Sequence, residues 1–147
     1  MNQKWDKRFL RLSREVAGWS KDPSTQVGSV IVDEKNRVVS LGFNGFPRGI
    51  KDTQELYTDR EEKYKRVLHA EQNAILFADK SLQGCTLYTY PLSPCSSCAL
   101  LIIQSGISNV VTVTHQGRWI DSCELAIELF SDSGVNYTSY VKGFLDD

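Results

Sequence analysis

The chain has 147 residues, 41% of them hydrophobic and 24% charged, with a formal net charge of −1. That is the size and composition of one soluble domain able to bury a core without disulfide staples. It excludes an ordinary bilayer span, because no apolar run approaches ~20 residues, and it disfavours a nucleic-acid partner, which calls for a basic face. Residues 1–12 mix charge with isolated apolar side chains and carry no signal-peptide core, so the expected compartment is the cytoplasm and the expected organisation a single domain over 1–147.

Trp5, Phe9, Leu12, Val16 and Trp19 recur at spacings of three and four, which predicts an amphipathic helix with one core-facing stripe. Ser20-Lys21-Asp22-Pro23-Ser24 ends it, since proline cannot continue a helix. Residues 27–32 are β-branched and apolar, 33–36 are a polar turn, and 37–43 complete a hairpin. Asn44-Gly45-Phe46-Pro47-Arg48-Gly49 is a loop punctuated by glycine and proline. The highly charged stretch 52–66 reads as a mostly solvated segment, at most partly helical. Beyond it come a buried helix at 69–78, a strand at 85–90 and a second buried helix at 95–104 that stops at Gly106. A strand at 109–114, an amphipathic helix at 121–130 and a strand at 135–141 complete the chain. Alternating strand and helix implies parallel strands joined by right-handed crossovers. The expected fold is therefore an α/β three-layer domain, a mixed sheet of about five strands with helices on both faces.

The chemistry concentrates in His69-Ala70-Glu71 and Pro94-Cys95-Ser96-Ser97-Cys98. One histidine and two cysteines are three metal ligands, and a zinc ion with three protein ligands keeps a coordination position open for catalysis. Cys95 and Cys98, three apart at a helix start, share one face. Pro94 suits that start, and the positive helix end favours thiolate over thiol. His69 stands at the mouth of the other buried helix, so two helix N-termini converge on one ion. Glu71, two residues on, points elsewhere than His69, which fits a carboxylate facing the open position.

Taken alone, Cys-x-x-Cys equally marks a structural zinc or a redox pair. A structural zinc wants a fourth ligand, and the only other histidine is His115. Cys85 and Cys123 lack paired spacing and read as buried core thiols. The combined pattern H-x-E…P-C-x-x-C is the signature of zinc-dependent nucleobase deaminases. In that chemistry zinc lowers the pKa of its water from ~15.7 toward ~7. Glu71 takes a proton from the water, passes it to the substrate's ring nitrogen and later protonates the departing amine, serving as base and then acid.

The chain from the first helix to residue 141 resembles the deoxycytidylate branch of the cytidine deaminase superfamily. The zinc motifs, in His69-Ala70-Glu71-Gln72-Asn73-Ala74-Ile75 and Ser93-Pro94-Cys95-Ser96-Ser97-Cys98-Ala99, fit the whole superfamily. The discriminating segments are Ser20-Lys21-Asp22-Pro23-Ser24-Thr25-Gln26-Val27-Gly28 and Gly42-Phe43-Asn44-Gly45-Phe46-Pro47. The resemblance implies hydrolysis of dCMP to dUMP and ammonia, feeding thymidylate synthesis. It implies Asn44 on the sugar hydroxyl, to which an amide offers both donor and acceptor. Ser24, Thr25 and Gln26 would meet the phosphate, and Ala70, Ser93 and Pro94 the pyrimidine edge. It also implies a homo-hexamer activated by dCTP with Mg²⁺ and inhibited by dTTP. Asn44, Gly45, Phe46, Arg48 and Gly49 would form the effector loop, with Phe77 and Lys80 as interface and effector contacts; glycine N–H groups and an arginine suit a phosphate cradle.

Two departures stand out. Relatives carry a substrate-facing tyrosine after the fourth strand, where this chain has His115-Gln116-Gly117-Arg118-Trp119. Either His115 or Arg118 takes over phosphate binding, or the stretch is a surface loop. Tyr88-Thr89-Tyr90-Pro91-Leu92-Ser93 is also one residue longer than usual before Pro94. Other readings of the same scaffold are a dCTP, free-base or tRNA adenosine deaminase, or a silent zinc and nucleotide-binding protein, for which an unliganded Glu71 would have no use.

Overall fold

The computed structural model describes residues 2–114 and 120–146. Five strands form one sheet: β1 (Gly28–Val32), β2 (Val38–Phe43), β3 (Thr86–Tyr90), β4 (Asn109–Val113) and β5 (Asn136–Tyr140), in the order β2-β1-β3-β4-β5. β1 runs antiparallel to both neighbours, whereas β3, β4 and β5 are parallel, so the sheet is mixed as expected. The antiparallel side comes from the tight hairpin at 33–36. The parallel side comes from crossovers that each contain a helix.

Helices cover both faces. α1 (Gln3–Ala17) and a terminal 3₁₀ turn (Lys142–Asp146) lie on one, where Phe9, Leu10, Val16 and Leu145 pack on Val30, Val32, Tyr88, Val111 and Val113. On the other, α4 (Ala70–Phe77), α5 (Ser96–Gln104) and α6 (Ile120–Ser133) enclose Ile31, Leu87 and Val110. Ile31 faces one core and its neighbours Val30 and Val32 the other, the period-2 alternation of a strand covered on both sides. No described helix is long and apolar enough to cross a membrane.

One expectation needs correction. The buried stripe of α1 is Asp6, Phe9, Leu10, Ser13, Val16 and Ala17, and Trp19 lies beyond the helix, half exposed, with its ring edge-on to Phe43 at 6.2 Å. Gly18 caps the helix first, which removes Trp19 from the stripe. The stretch 52–66 is mostly exposed and partly helical, as expected. It forms α2 (Gln54–Thr58) and α3 (Arg60–Tyr64), capped by Thr53 and Asp59, and buries Tyr57 and Lys63. Their five-residue lengths are too short to show a periodic pattern.

α4 lies against β2 backbone to backbone. A Cβ on Gly42 would meet the Ala74 nitrogen at 2.5 Å and the Ala70 oxygen at 2.7 Å. Ser40 Oγ donates to the Ala74 carbonyl at 2.7 Å and Asn73 Nδ2 to the Phe43 carbonyl at 2.8 Å. Gly42→Ala must therefore push the helix off the strand. We expect it to cost about 2–3 kcal/mol, within the range for overpacking, and to lower Tm by roughly 2–4 °C per kcal/mol. A thermal scan checks this, and an unchanged Tm would mean that the contact relaxes freely.

Candidate active site

His69 and Cys95 each occupy an N-cap, with extended backbone before α4 and α5. The His69 N–H donates to Gln72 Oε1 at 2.7 Å, and the Ser96 N–H donates to Ser122 Oγ at 3.0 Å, so side chains hold the start of each helix. The two helix starts bring His69 Nδ1 to 3.2 Å from Cys98 Sγ and 3.5 Å from Cys95 Sγ. All three donor atoms lie within 4.8 Å of one another, and no other such His/Cys/Asp/Glu group occurs among the described residues. Bond lengths of ~2.0 Å to nitrogen and ~2.3 Å to sulfur put tetrahedral donors about 3.5 Å apart, so the set fits zinc in spacing as well as chemistry. The four cysteines at 85, 95, 98 and 123 are all free thiols.

The electrostatics suit a cation. A hydrogen bond with Cys98 is the largest cause drawing the Cys95 thiol down to about 4, with the His69 ring assisting against burial. The same bond to Cys95, and then burial, pushes the Cys98 thiol up. His69 is raised, first by its hydrogen bond with Cys95. Burial pushes the Glu71 carboxyl up to about 7 while His69 pulls it down. A dication at the three donors favours the deprotonated form of every one of these groups.

Glu71 is buried but is not one of the three donors. It lines a cavity of about 320 Å³ together with His69, Cys95, Ala70, Ser93 and Asn44. Thr25 joins the same wall, whereas Ser24, Gln26 and Pro94 do not line it. Ser24 Oγ instead donates to Asp22 Oδ1 at 3.0 Å, and Gln26 Nε2 to the Ser20 carbonyl at 2.7 Å, each held by the loop itself. Asn44 is more engaged than expected. Its Oδ1 accepts from the Val27 N–H at 2.9 Å, and its Nδ2 donates to the Thr25 carbonyl at 2.9 Å and to Asp22 Oδ2 at 3.3 Å. Both amide hydrogens are therefore used, and the remaining lone pair on Oδ1 leaves Asn44 an acceptor for a hydroxyl. His115 and Arg118 lie outside the described residues. Cys123, expected as a plain core thiol, is buried but also lines the cavity.

Sequence reasoning missed Lys63. It is buried in the cavity wall, paired with Asp22 at 2.7 Å, with Nζ donating to Ser24 Oγ at 3.0 Å. Burial alone would raise Asp22. The Lys63 ammonium and the backbone N–H groups of Ser24 and Thr25 outweigh it and hold the carboxyl below its ordinary value. The one available signal was a lysine in a charged run shortly before His69.

The proposed effector residues only partly converge. Gly45 pairs with Leu68 in an isolated bridge, and Phe46 stacks on Tyr57 with centroids 4.1 Å apart. The Arg48 guanidinium stands 5.9 Å from the Phe77 ring, joining the loop to the far end of α4. Gly49 takes φ +86°, a left-handed conformation that glycine supplies without strain. Lys80 goes instead to Asp33, 3.7 Å away.

A mixed five-stranded sheet with a zinc-fitting His-Cys-Cys set at two helix starts defines a class, the zinc deaminases with a cytidine deaminase-like fold. The model of the cytidine and deoxycytidylate deaminase zinc-binding region matches residues 3–114. The chain belongs to the cytidine and deoxycytidylate deaminase family and is a deaminase. It is 46% identical to an uncharacterised deaminase of Aliivibrio fischeri over 142 residues, covering 94% of this chain and 95% of that protein. To the deoxycytidylate deaminase of Homo sapiens it is 35% identical over 143 residues, covering 93% and 80%. In fold it is similar to the dCMP deaminase of cyanophage S-TIM5 solved with dCMP and dUMP, with a TM-score of 0.77 at 23% identity over 95% of this chain and 98% of that one.

Proposed function

We propose that the chain, acting as one domain over 1–147 in the cytoplasm, hydrolyses dCMP to dUMP and ammonia and so feeds thymidylate synthesis. The observation that carries this is the convergence of His69, Cys95 and Cys98 beside a buried Glu71 on one cavity. The choice of dCMP is supported by relatives named deoxycytidylate deaminase. His69, Cys95 and Cys98 hold zinc, which when bound makes water acidic enough to supply a nucleophile near pH ~7. Glu71 removes the water proton and delivers it to the pyrimidine ring nitrogen. Water oxygen adds to the ring carbon bearing the amino group, and Glu71 then takes the second proton from that new hydroxyl and gives it to the amine, so that the C=O forms as the C–N bond breaks and ammonia leaves. Asn44 accepts from the sugar hydroxyl, Thr25 faces the nucleotide, and Ala70 and Ser93 border the base.

The test is kcat/KM for dCMP, deoxycytidine and dCTP. We expect dCMP to lead deoxycytidine by about 10²-fold or more, the discrimination of a site built for a polar group that the poorer substrate lacks. Comparable values would favour a nucleoside deaminase, and a dCTP optimum a triphosphate enzyme.

Control belongs to the same reading. The family resemblance supports a homo-hexamer, activation by dCTP with Mg²⁺ and inhibition by dTTP, with phosphates at Gly45, Phe46, Arg48 and Gly49 and with Phe77 beside them. Arg48→Ala should then weaken both effectors, read as loss of the shift in dCMP half-saturation within the ~5–150-fold range usual for coupled sites. Hyperbolic kinetics indifferent to both nucleotides, in a preparation shown to be hexameric, would remove the effector loop from this account.

A further inference from the structure

Lys63 is buried on the five-residue helix α3, with 7% of its side chain exposed, against an Asp22 side chain exposed by 0%. Taking an ammonium out of water is expensive, and a buried ion pair is often no more stable than apolar residues of equal volume. Its presence on a ligand cavity therefore points to a ligand. Two of its N–H bonds go to Asp22 Oδ2 and Ser24 Oγ. The third has no hydrogen-bond acceptor among the described residues, and Nζ stands 5.7 Å from the centre of the Tyr64 ring, which also lines the cavity. Asp22 also accepts from Asn44, so the ammonium sits in one hydrogen-bonded chain with the residue assigned to the sugar. Lys63 is the one lysine or arginine among the described residues lining the cavity, where the acidic side chains are Asp22 and Glu71. Without it, the described residues of the cavity wall would offer an anionic substrate no ammonium or guanidinium group.

Resting on the reading of the substrate as a nucleoside monophosphate, we propose that Lys63 selects for the phosphate, giving its third N–H to a phosphate oxygen while Asp22 and Ser24 hold it in place. The selectivity is then carried by α3, and Ser24 serves it as a positioning residue.

The test is the ratio of kcat/KM for dCMP to that for deoxycytidine, measured on the zinc-loaded wild type, Lys63→Met, Asp22→Asn and the Asp22→Asn/Lys63→Met double variant. The double variant leaves no buried charge unpaired at this position, so it stays informative if Lys63→Met alone misfolds. We expect a high ratio in the wild type and, because an amide oxygen still accepts from the ammonium, a reduced but largely retained ratio in Asp22→Asn. Both proteins lacking the lysine should show a fall of about 10- to 100-fold, the value of a hydrogen bond to a charged group, carried mainly by KM for dCMP. Three results would overturn the proposal. Equal losses on both substrates would make Lys63 a brace for Asn44 alone. Recovery of the ratio in the double variant would assign the loss to a bare Asp22 carboxylate. A wild-type ratio near one would defeat the monophosphate reading itself, and is visible before any variant is made.

Discussion

Glu71→Gln should keep its full complement of zinc and lose about 10²–10⁴-fold in turnover, the usual weight of general acid–base catalysis. The amide matches the carboxylate in size, so the buried position is not overpacked. Glutamine can still donate and accept hydrogen bonds, so substrate affinity should move little. What it cannot do is carry one water proton to the ring nitrogen and the other to the departing amine. Metal analysis and kcat on the same preparation separate the two roles. Stoichiometric loss of zinc with the substitution would make Glu71 a ligand and the proton shuttle wrong.

Cys98→Ala should act in the opposite order, losing metal first and activity with it. Cys98 contributes one of two sulfurs and is fully buried in the core shared with Ala99 and Ile102. Removing a ligand should cost more than the ~10–100-fold in metal affinity typical of changes to groups that merely support ligands. Activity should fall to background at ordinary zinc, and the protein should unfold more readily because metal binding and folding are coupled. Cys123→Ala is the matched control, a buried thiol on the same cavity and outside the donor set. Chelator competition should find its zinc retained. Equal metal loss in both would remove Cys98 from the ligand set.

The sheet was legible because its strands are short runs rich in β-branched and aromatic residues, separated by a polar turn or by a helical pattern. The metal cluster was legible because both of its parts sit at helix starts, where local sequence sets the geometry. Lys63 was not legible. Its role depends on Ser24, 39 residues earlier, and on Asp22 beside it, and a charged run looks solvated until the tertiary fold buries one member. Asn44 was half legible. Its place after β2 could be read, but the two hydrogen bonds that use up its amide hydrogens, and a third that its Oδ1 accepts, come from the 22–27 loop folded back on it. Ser24 and Gln26 were assigned to the nucleotide by loop position, whereas their side chains hold the loop that presents Thr25.

The bridge between Gly45 and Leu68 links two regions otherwise treated apart. The Gly45 N–H donates to the Leu68 carbonyl at 3.1 Å, and the Leu68 N–H donates back to Gly45 at 2.8 Å. Leu68 immediately precedes His69. A ligand that displaces the 45–49 loop must therefore either break this ladder rung or tug on the imidazole. If the rung holds, nucleotide and metal share one free-energy cycle. Whatever factor the nucleotide imposes on zinc affinity, zinc must impose on the nucleotide. Metal-depleted protein would then bind regulatory nucleotides with altered strength, and the metal would serve as a regulator of the loop as well as a reagent in the pocket.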